Sequence, residues 1–412
     1  MFPNIKREKF SNHIYDDGKV NLLKQAAIYG ANGSGKSNFM KAILFIRSFI
    51  MRDDFLKNLD LEHYRFQLVS EKSSVISFEI EFFHKEKYFI YSVDIDKKDI
   101  SESLFLSGLG KVANKLIFER KGSTIHSNYL QNKESAKQLL ELNPQSSLLS
   151  LNLKFPVLSG AELKKAYDWF SKQLEIVEIH STIPILIALL SNQPKLLKFA
   201  NDIFENVGIG INFVRIGNTP FDKWITDNKN AKTFQKIIEQ NTMQPNTGLT
   251  SLKNNRNIFN VSVQNGTKTV QEFMFDQLGL EGFHKEMDIT AQSDGTVRLL
   301  TLIPAVYEAM YEKKTVFIDE IDNSIHPNLV FALLQYYASN KSNGQLIFTT
   351  HTTKLLNQQE LLRPDEVWLT EKSDGSTKMY SLNDFKLHNT LSLENGYLDG
   401  RYGAVPTIND FG

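Results

Sequence analysis

Cysteine is absent from this sequence of 412 residues. Disulfide bonds, thiolate nucleophiles and zinc sites with cysteine ligands are therefore excluded. Net charge is absent as well, because 47 Lys and Arg residues balance 47 Asp and Glu residues. That balance does not call for a nucleic acid or a membrane surface as a partner, although a local basic patch can still exist.

Long hydrophobic runs are also missing. The longest, Ile183 to Leu190, is interrupted by Pro184 and is too short to cross a bilayer. Residues 1–17 are polar and charged, so no secretory signal is visible. With 41% hydrophobic and 23% charged residues, the composition is that of an ordinary globular protein with a large core. We expect a cytoplasmic protein without a membrane partner.

The strongest motif runs from Gly30 to Ser37 and matches G-x-x-x-x-G-K-[ST], the P-loop. It follows the short apolar run Ala26 to Tyr29 and precedes Asn38 to Met51, where apolar residues recur at helical spacing. In this context backbone N–H groups cradle phosphates, Lys36 reaches the β- and γ-phosphates, and the Ser37 hydroxyl can bind Mg²⁺. The predicted nucleotide-binding residues are Gly30, Ala31, Asn32, Gly33, Ser34, Gly35, Lys36, Ser37 and Asn38.

The rest of the chain divides by its hydrophobic period. Alternation from Val75 to Ile95 predicts an antiparallel meander. Helical spacing follows and predicts helices at Pro194 to Val207 and Asp227 to Gln240, before a loop at Gln244 to Asn257. Near-continuous apolar runs separated by helices then predict a parallel sheet. We predict an α/β fold whose nucleotide-binding head is formed by residues 1–126 and 256–412, with a helical insertion at 127–255.

An apolar run from Thr315 ends in the acidic pair Asp319 and Glu320. An acid at the carboxyl end of a strand beside a P-loop can hold Mg²⁺, so Asp319 is a predicted metal residue. Glu320 is then placed to orient and deprotonate an attacking water. By itself such a pair is also typical of a surface turn, and the P-loop is what favours the functional interpretation.

Two weaker signals complete the set. Ser293 and Gly295 stand before a long apolar helix, where backbone N–H groups can grip a phosphate, although Ser-Asp-Gly is also a good turn. His351 follows a second buried run and could contact a γ-phosphate. A single histidine at a strand end is also often an ordinary loop residue.

In this order the motifs resemble those of ABC-type ATPase heads, and more closely the SMC-like and OLD-like branch. Within that branch the sequence is similar to RloA-type ATPases of bacterial phage-defence and abortive-infection operons. The segments that carry the resemblance are Gly30 to Asn38, Ser293 to Thr296, Ile318 to Pro327, Gln345 to His351 and Tyr397 to Pro406.

The resemblance implies an ABC-type P-loop head with an antiparallel β subdomain, and ATP with Mg²⁺ as its ligands. Lys36 and Ser37 match Walker A, and Asp319 and Glu320 match Walker B. The remaining matches are the signature residues Ser293 and Gly295, which reach the ATP of the partner subunit, the D-loop Asp322, the switch histidine His351 and Gln67 as a Q-loop metal ligand. The signature lacks the leading Leu-Ser-Gly-Gly form.

OLD-type nucleases carry a TOPRIM domain after the ATPase, and the roughly sixty residues after His351 are too few for one. We therefore expect an ATPase that forms a homodimer or higher homo-oligomer around ATP. It would act as the sensor or regulatory subunit of an anti-phage system with a separately encoded effector, such as a nuclease or TOPRIM-like protein.

Two alternatives remain open. One is an SMC-like ATPase that binds DNA or RNA in repair or restriction, and the other is a toxin that depletes nucleotide. The charge balance does not indicate nucleic acid. Lys195 with Lys198, and Lys253 with Arg256, are only modest basic clusters in the insertion.

Overall fold

The computed structural model describes residues 1–4, 10–68, 75–96, 99–155, 160–178, 183–227, 250–254, 257–264, 267–356, 361–387 and 392–406. None of the helices among these residues is both long enough and apolar enough to cross a membrane. The chain forms two compact units. Unit 1 comprises Met1–Tyr29, Val177–Trp368 and Ser381–Tyr402, and unit 2 comprises Gly30–Ile176, Leu369–Tyr380 and Gly403–Gly412.

The strands of the chain follow in this order: β1 Ile14–Asp16, β2 Asn21–Leu23, β3 Gln25–Gly30, β4 Ile76–His84, β5 Lys87–Ile95, β6 Ile100–Leu106, β7 Lys115–Lys121, β8 Thr124–Ser127, β9 Leu174–Val177, β10 Ile211–Pro220, β11 Thr250–Asn254, β12 Asn257–Gln264, β13 Thr267–Leu278, β14 His284–Asp288, β15 Thr315–Ile318, β16 Gln345–Thr349, β17 Val367–Ser373 and β18 Ser376–Ser381.

The α-helices of the described residues are α1 Lys36–Met51, α2 Lys133–Leu142, α3 Leu148–Lys154, α4 Ala161–Asp168, α5 Ile183–Asn192, α6 Pro194–Val207, α7 Phe221–Asp227, α8 Asp294–Tyr311, α9 Pro327–Ser339 and α10 Leu393–Leu398. Several short 3-10 turns lie between them.

A six-stranded sheet has the order β18-β17-β3-β16-β15-β9. Its centre, in unit 1, is parallel, because β16 pairs in parallel with both β3 and β15. Ala26 to Tyr29, Val316 to Ile318 and Leu346 to Phe348 are buried or nearly so. Continuous apolar runs of this kind are what a parallel sheet covered on both faces requires.

Unit 1 also contains an antiparallel sheet of order β10-β13-β12-β11, with β14 paired to β13. Helix α7 packs on it through Phe221 and Trp224, which join Phe259, Val261 and Val270 in a buried cluster. Helix α6 begins at a proline and ends at Gly208, whose left-handed backbone terminates it.

Unit 2 contains α1 and a five-stranded antiparallel meander of order β4-β5-β6-β7-β8. Exposed and half-buried residues alternate along most of β4, as expected for a strand with one face in the core. Phe82 stacks on Phe89 of β5 and on Trp169, with ring centroids 5.2 and 4.4 Å apart. Aromatic packing therefore joins the meander to the helical segment that follows it.

The α/β class, the meander and the parallel centre of the sheet are confirmed. Residues 127–255 contain α2 to α7, as predicted, but also β9, β10 and β11, which the helical spacing does not predict. The division into 1–126, 127–255 and 256–412 stays a prediction. Nearly all of the predicted Asp227 to Gln240 helix, most of the Gln244 to Asn257 loop and the basic residue Arg256 lie outside the described residues.

A buried ion pair within the meander also holds the start of α3. Arg120 donates from Nε to Glu102 at 2.7 Å, and both side chains are 0% exposed. Glu102 also accepts hydrogen bonds from the Tyr91 hydroxyl, the Ser147 hydroxyl and the Leu148 N–H at 2.7–2.9 Å. Ser147 is the N-cap of α3, so this carboxylate attaches the start of that helix to the sheet.

We expect Glu102→Gln to lower the free energy of unfolding by about 3 kcal/mol, because the substitution leaves the Arg120 guanidinium buried without a counter-charge. Urea denaturation measures the change. The matched control is Glu286→Gln, which removes the partly exposed ion pair with Arg215 and should cost less than about 1 kcal/mol. Equal losses in the two variants would show that the buried pair has no special weight.

Candidate functional site

Three motifs follow the carboxyl ends of three neighbouring parallel strands. β3 leads into the P-loop, β15 into the acidic pair at 319–320 and β16 into His351. In the register Phe348 lies between Ala27 and Ile318, so the strands end almost level. Since carboxyl ends of parallel strands meet at one edge, unit 1 brings the ends of all three strands to the same edge.

The P-loop is held by hydrogen bonds to the hairpin of β17 and β18. The hydroxyls of Ser34 and Thr370 are hydrogen bonded at 2.7 Å, and the Thr377 hydroxyl donates to the Ser34 carbonyl at 2.8 Å. Gly35 has a φ of 108°, and a Cβ atom there would lie 1.9 Å from the Thr377 Oγ1 atom. Glycine is therefore required at this position both by the backbone conformation and by the close approach of Thr377.

Lys36 is the first residue of α1 and is buried, with 6% of its surface exposed. Its ammonium group donates to the carbonyls of Gly30 at 2.7 Å and Ala31 at 3.2 Å, inside the loop. Glycine caps the helix, so no side-chain acceptor satisfies its first N–H groups, and its first turn has no acidic residue. The lysine and the helix dipole therefore both place positive charge at the N-terminus of α1, which suits a phosphate.

The acidic pair is held by one threonine at the end of β16. The Thr349 hydroxyl donates to Asp319 Oδ1 at 2.7 Å and accepts from the Glu320 N–H at 2.7 Å. Glu320 has a φ of 46°, a left-handed conformation that costs a non-glycine residue about 1–2 kcal/mol. The Asn323 amide donates to Glu320 Oε2 at 3.0 Å. Both acids are half-buried.

Arg298 of α8 supports the same turn from the backbone side. Its Nη2 donates to the carbonyls of Asp319 at 3.0 Å and Glu320 at 3.2 Å. Burial lowers the pKa of this guanidinium below its usual range, while Asp319, Glu320 and Asp322 act in the opposite direction. A guanidinium remains charged near neutral pH despite such a shift, so the acidic turn rests on a buried cation.

Asp322 organises the segment after β16. Its Oδ2 accepts from the His351 N–H at 3.0 Å and from the Thr352 hydroxyl at 2.8 Å. The His351 side chain is exposed and makes no hydrogen bond to any described residue. The predicted D-loop and switch residues are therefore brought together, with the histidine side chain left accessible.

The predicted signature residues stand at the start of α8. Ser293 is exposed, and its hydroxyl caps the helix by accepting from the Thr296 N–H at 3.1 Å. A Cβ atom at Gly295 would lie 2.7 Å from the Ser324 carbonyl oxygen. The signature therefore packs directly against the loop that follows the acidic pair.

Gln67 is exposed, and its amide donates to the carbonyls of Glu62 and Arg65. These contacts are local, and a role of Gln67 at a metal stays a prediction. The roles of the other predicted residues at a nucleotide are predictions as well.

The sequence motifs did not reveal four side chains that shape the site: Thr349, Arg298, Thr370 and Thr377. A detectable signal exists for Thr349 alone, since it directly precedes the Thr-His pair on a strand next to the acidic one. Thr370 and Thr377 come from a hairpin more than 300 residues after the P-loop.

The chemistry of the acidic turn suits Mg²⁺, which prefers carboxylate and hydroxyl oxygens and few protein ligands besides phosphate oxygens. Thr349 occupies one oxygen of Asp319, and among the described residues Asp319 Oδ2 has no hydrogen-bond partner. No group of three or more His, Asp or Glu side chains suited to a metal occurs in the described part of the chain. The open oxygen of Asp319 therefore fits one ligand of a metal that nucleotide phosphates would also hold, and the predicted role of Ser37 at that metal stays a prediction.

Comparison with known proteins gives one family match. The family model described as "AAA domain, putative AbiEii toxin, Type IV TA system" matches residues 26–357. Curated proteins gave no match.

Solved structures of SMC heads are similar at low sequence identity. A crystal structure of the SMC head bound to the C-winged helix domain of ScpA is 14% identical, with a TM-score of 0.44, over 92% of this chain and 94% of that chain. The SMC head domain from Thermotoga maritima is 10% identical, with a TM-score of 0.39, over 89% and 93%. An SMC head with an extended coiled coil, bound to the C-terminal domain of ScpA derived from Pyrococcus furiosus, is 14% identical, with a TM-score of 0.31, over 93% and 94%.

We expect Gly35→Ala to be more destabilising than Gly33→Ala. Both glycines have positive φ, so both variants carry a strain of about 1 kcal/mol, but only the Gly35 Cβ atom meets Thr377. The clash should cost roughly 2 kcal/mol more, seen as a lower midpoint in thermal unfolding. Equal midpoints would show that the hairpin does not confine the P-loop.

Proposed function

The chain belongs to the family described as "AAA domain, putative AbiEii toxin, Type IV TA system", and from this premise we propose that it binds ATP with Mg²⁺ and hydrolyses it. One observation carries the proposal. The P-loop lysine is buried within its loop at the start of α1. A Walker B-like acidic pair follows β15, which is separated from the P-loop strand β3 only by β16.

The P-loop supplies binding. Backbone N–H groups from Ala31 to Ser37 and the start of α1 receive the phosphates, and Lys36 exchanges its two carbonyl partners for phosphate oxygens. Charge-assisted hydrogen bonds from an ammonium to phosphate are stronger than those to a carbonyl, so the exchange favours the bound nucleotide. The Ser37 hydroxyl would be a ligand of Mg²⁺, whose charge would offset that of the phosphates.

The acidic pair supplies hydrolysis. Asp319 would hold Mg²⁺ through Oδ2, the oxygen that Thr349 leaves open. Glu320 accepts the proton of the attacking water through Oε1, because Asn323 occupies Oε2 and no other described residue bonds Oε1. His351, whose side chain is accessible, contacts the γ-phosphate.

Dimerisation completes the active form. Ser293 is exposed at the start of an 18-residue helix, where its position suits a phosphate that arrives from outside the chain. In a two-fold dimer the same surface is used twice, so two equivalent nucleotide sites form together. ATP then contributes to the interface and favours the dimer by mass action.

The biological role that we propose is regulation of a defence system. The family description names an AbiEii toxin and a type IV toxin–antitoxin system, and the RloA-like and OLD-like motifs point to abortive infection. The ATPase would act as the sensor or regulatory subunit, and a separately encoded protein would be the effector.

Glu320→Gln should keep ATP binding and lower turnover by about a hundredfold, because the amide retains the shape of the side chain but cannot accept a proton. Lys36→Ala provides the contrasting variant, since it should lose ATP binding in calorimetry. Lys41→Ala is its control on an exposed position of the same helix. Parent-level turnover in Glu320→Gln would show that another group activates the water.

Ser293→Arg should bind ATP normally but lose hydrolysis, because bulk and charge at the signature block closure of the dimer. Mixing it with Lys36→Ala should restore part of the activity, since one site of the mixed dimer then pairs two intact halves. Steady-state phosphate release measures this recovery.

Two controls separate the causes. Ser339→Arg places the same charge on an exposed position of α9 and should leave activity unchanged. Ser293→Ala removes the helix cap without bulk, so its thermal midpoint gives the cost of the lost cap alone. Parent-like hydrolysis by Ser293→Arg would overturn the composite-site proposal.

A further inference from the structure

We propose that Thr349 is a positioning residue, which through its hydroxyl sets both the metal-ligating carboxylate of Asp319 and the backbone of the base Glu320. The inference rests on the proposed ATPase function and names the residue that positions its metal ligand and its base. Thr349 is 0% exposed and lies at the end of β16. It therefore does not touch substrate itself and acts only through Asp319 and Glu320.

The register of the parallel strands puts this threonine beside the acidic turn. Ile318 pairs with Phe348, so the next residues on each strand, Asp319 and Thr349, emerge side by side. The Thr349 carbonyl accepts from the Ile321 N–H at 3.0 Å, while its hydroxyl contacts Asp319 and Glu320 at 2.7 Å each. One residue therefore holds three consecutive positions of the turn.

The direction of both hydroxyl bonds is determined by the donors present. The Glu320 N–H can only donate, so the Thr349 oxygen accepts from it. The single hydroxyl hydrogen is then left for Asp319 Oδ1, which suits an ionised carboxylate because that group only accepts. This chain of two bonds orients Asp319 with its second oxygen open and Glu320 in its left-handed conformation.

Only a hydroxyl on a short side chain can make this pair of contacts. Valine has the shape of threonine but neither donates nor accepts, so it leaves the partly buried Glu320 N–H without its partner and lets Asp319 rotate. Serine keeps both bonds. The P-loop is untouched by either change, so nucleotide affinity without metal should not depend on position 349.

The test compares Thr349→Val, Thr349→Ala and Thr349→Ser with the parent chain. The matched control is Thr315→Val, which removes a hydroxyl at the opposite end of the neighbouring strand β15. Calorimetry measures the affinity for a non-hydrolysable ATP analogue with and without Mg²⁺, and phosphate release gives kcat and KM. The alanine variant serves if the valine variant does not fold.

We expect the valine and alanine variants to bind the analogue within about twofold of the parent when Mg²⁺ is absent. The gain in affinity that Mg²⁺ provides should fall by about tenfold, and kcat should fall by roughly tenfold to a hundredfold, as for the loss of a hydrogen bond to a charged group. Thr349→Ser and Thr315→Val should behave like the parent. A merely structural role would weaken binding with and without metal alike.

Parent-like kcat and Mg²⁺ gain in Thr349→Val would overturn the positioning role while leaving the ATPase proposal in place. The positioning role is also overturned if Thr349→Ser is as impaired as Thr349→Val, or if Thr349→Val weakens analogue binding as much without Mg²⁺ as with it. If instead the parent chain neither binds the analogue better than Lys36→Ala nor releases phosphate, the proposed function fails, and the positioning role fails with it.

Discussion

Parallel hydrogen bonding among β3, β16 and β15 is the constraint on which the candidate site depends. Because all three strands run in the same direction and end almost level, their carboxyl ends meet at one edge of unit 1, where the acidic turn and the segment of His351 begin. The buried apolar runs that build this sheet carry no chemistry themselves. They determine where the strands end, and therefore where Asp319 and His351 are placed. A shift of one residue in the register would separate Thr349 from the acidic turn.

Polar side chains then hold the backbone of the motifs in conformations that it would not keep alone. Lys36 donates to two carbonyls of the P-loop, and Arg298 donates to two carbonyls of the acidic turn. The hydroxyls of Thr349 and Thr377 add contacts that are partly buried. Each of the two motifs is therefore held by contacts within the chain, and in the ATPase that we propose such preorganisation would lower the free energy needed for rearrangement when charge develops.

Prediction from the sequence was most successful where a motif or a period is local. The P-loop strand and helix and the meander follow from residues near each other in the chain. The strand β10 was missed because its pattern is interrupted by polar residues and a bulge, and its partner β13 lies about 50 residues later. Likewise, Arg298 shows no local signal for its contact with the carbonyls of Asp319 and Glu320.

The sequence by itself determined which chemistry is available: the P-loop, the acidic pair, the serine and glycine before a long helix, and the absence of thiols. These depend on residue types at fixed short spacings, which a chain carries with it in any fold. Only the tertiary structure decided which side chains support them. Thr349 meets Asp319, Gly35 meets Thr377 and Gly295 meets Ser324, because strand register and hairpin packing join segments that are about 30 to more than 300 residues apart.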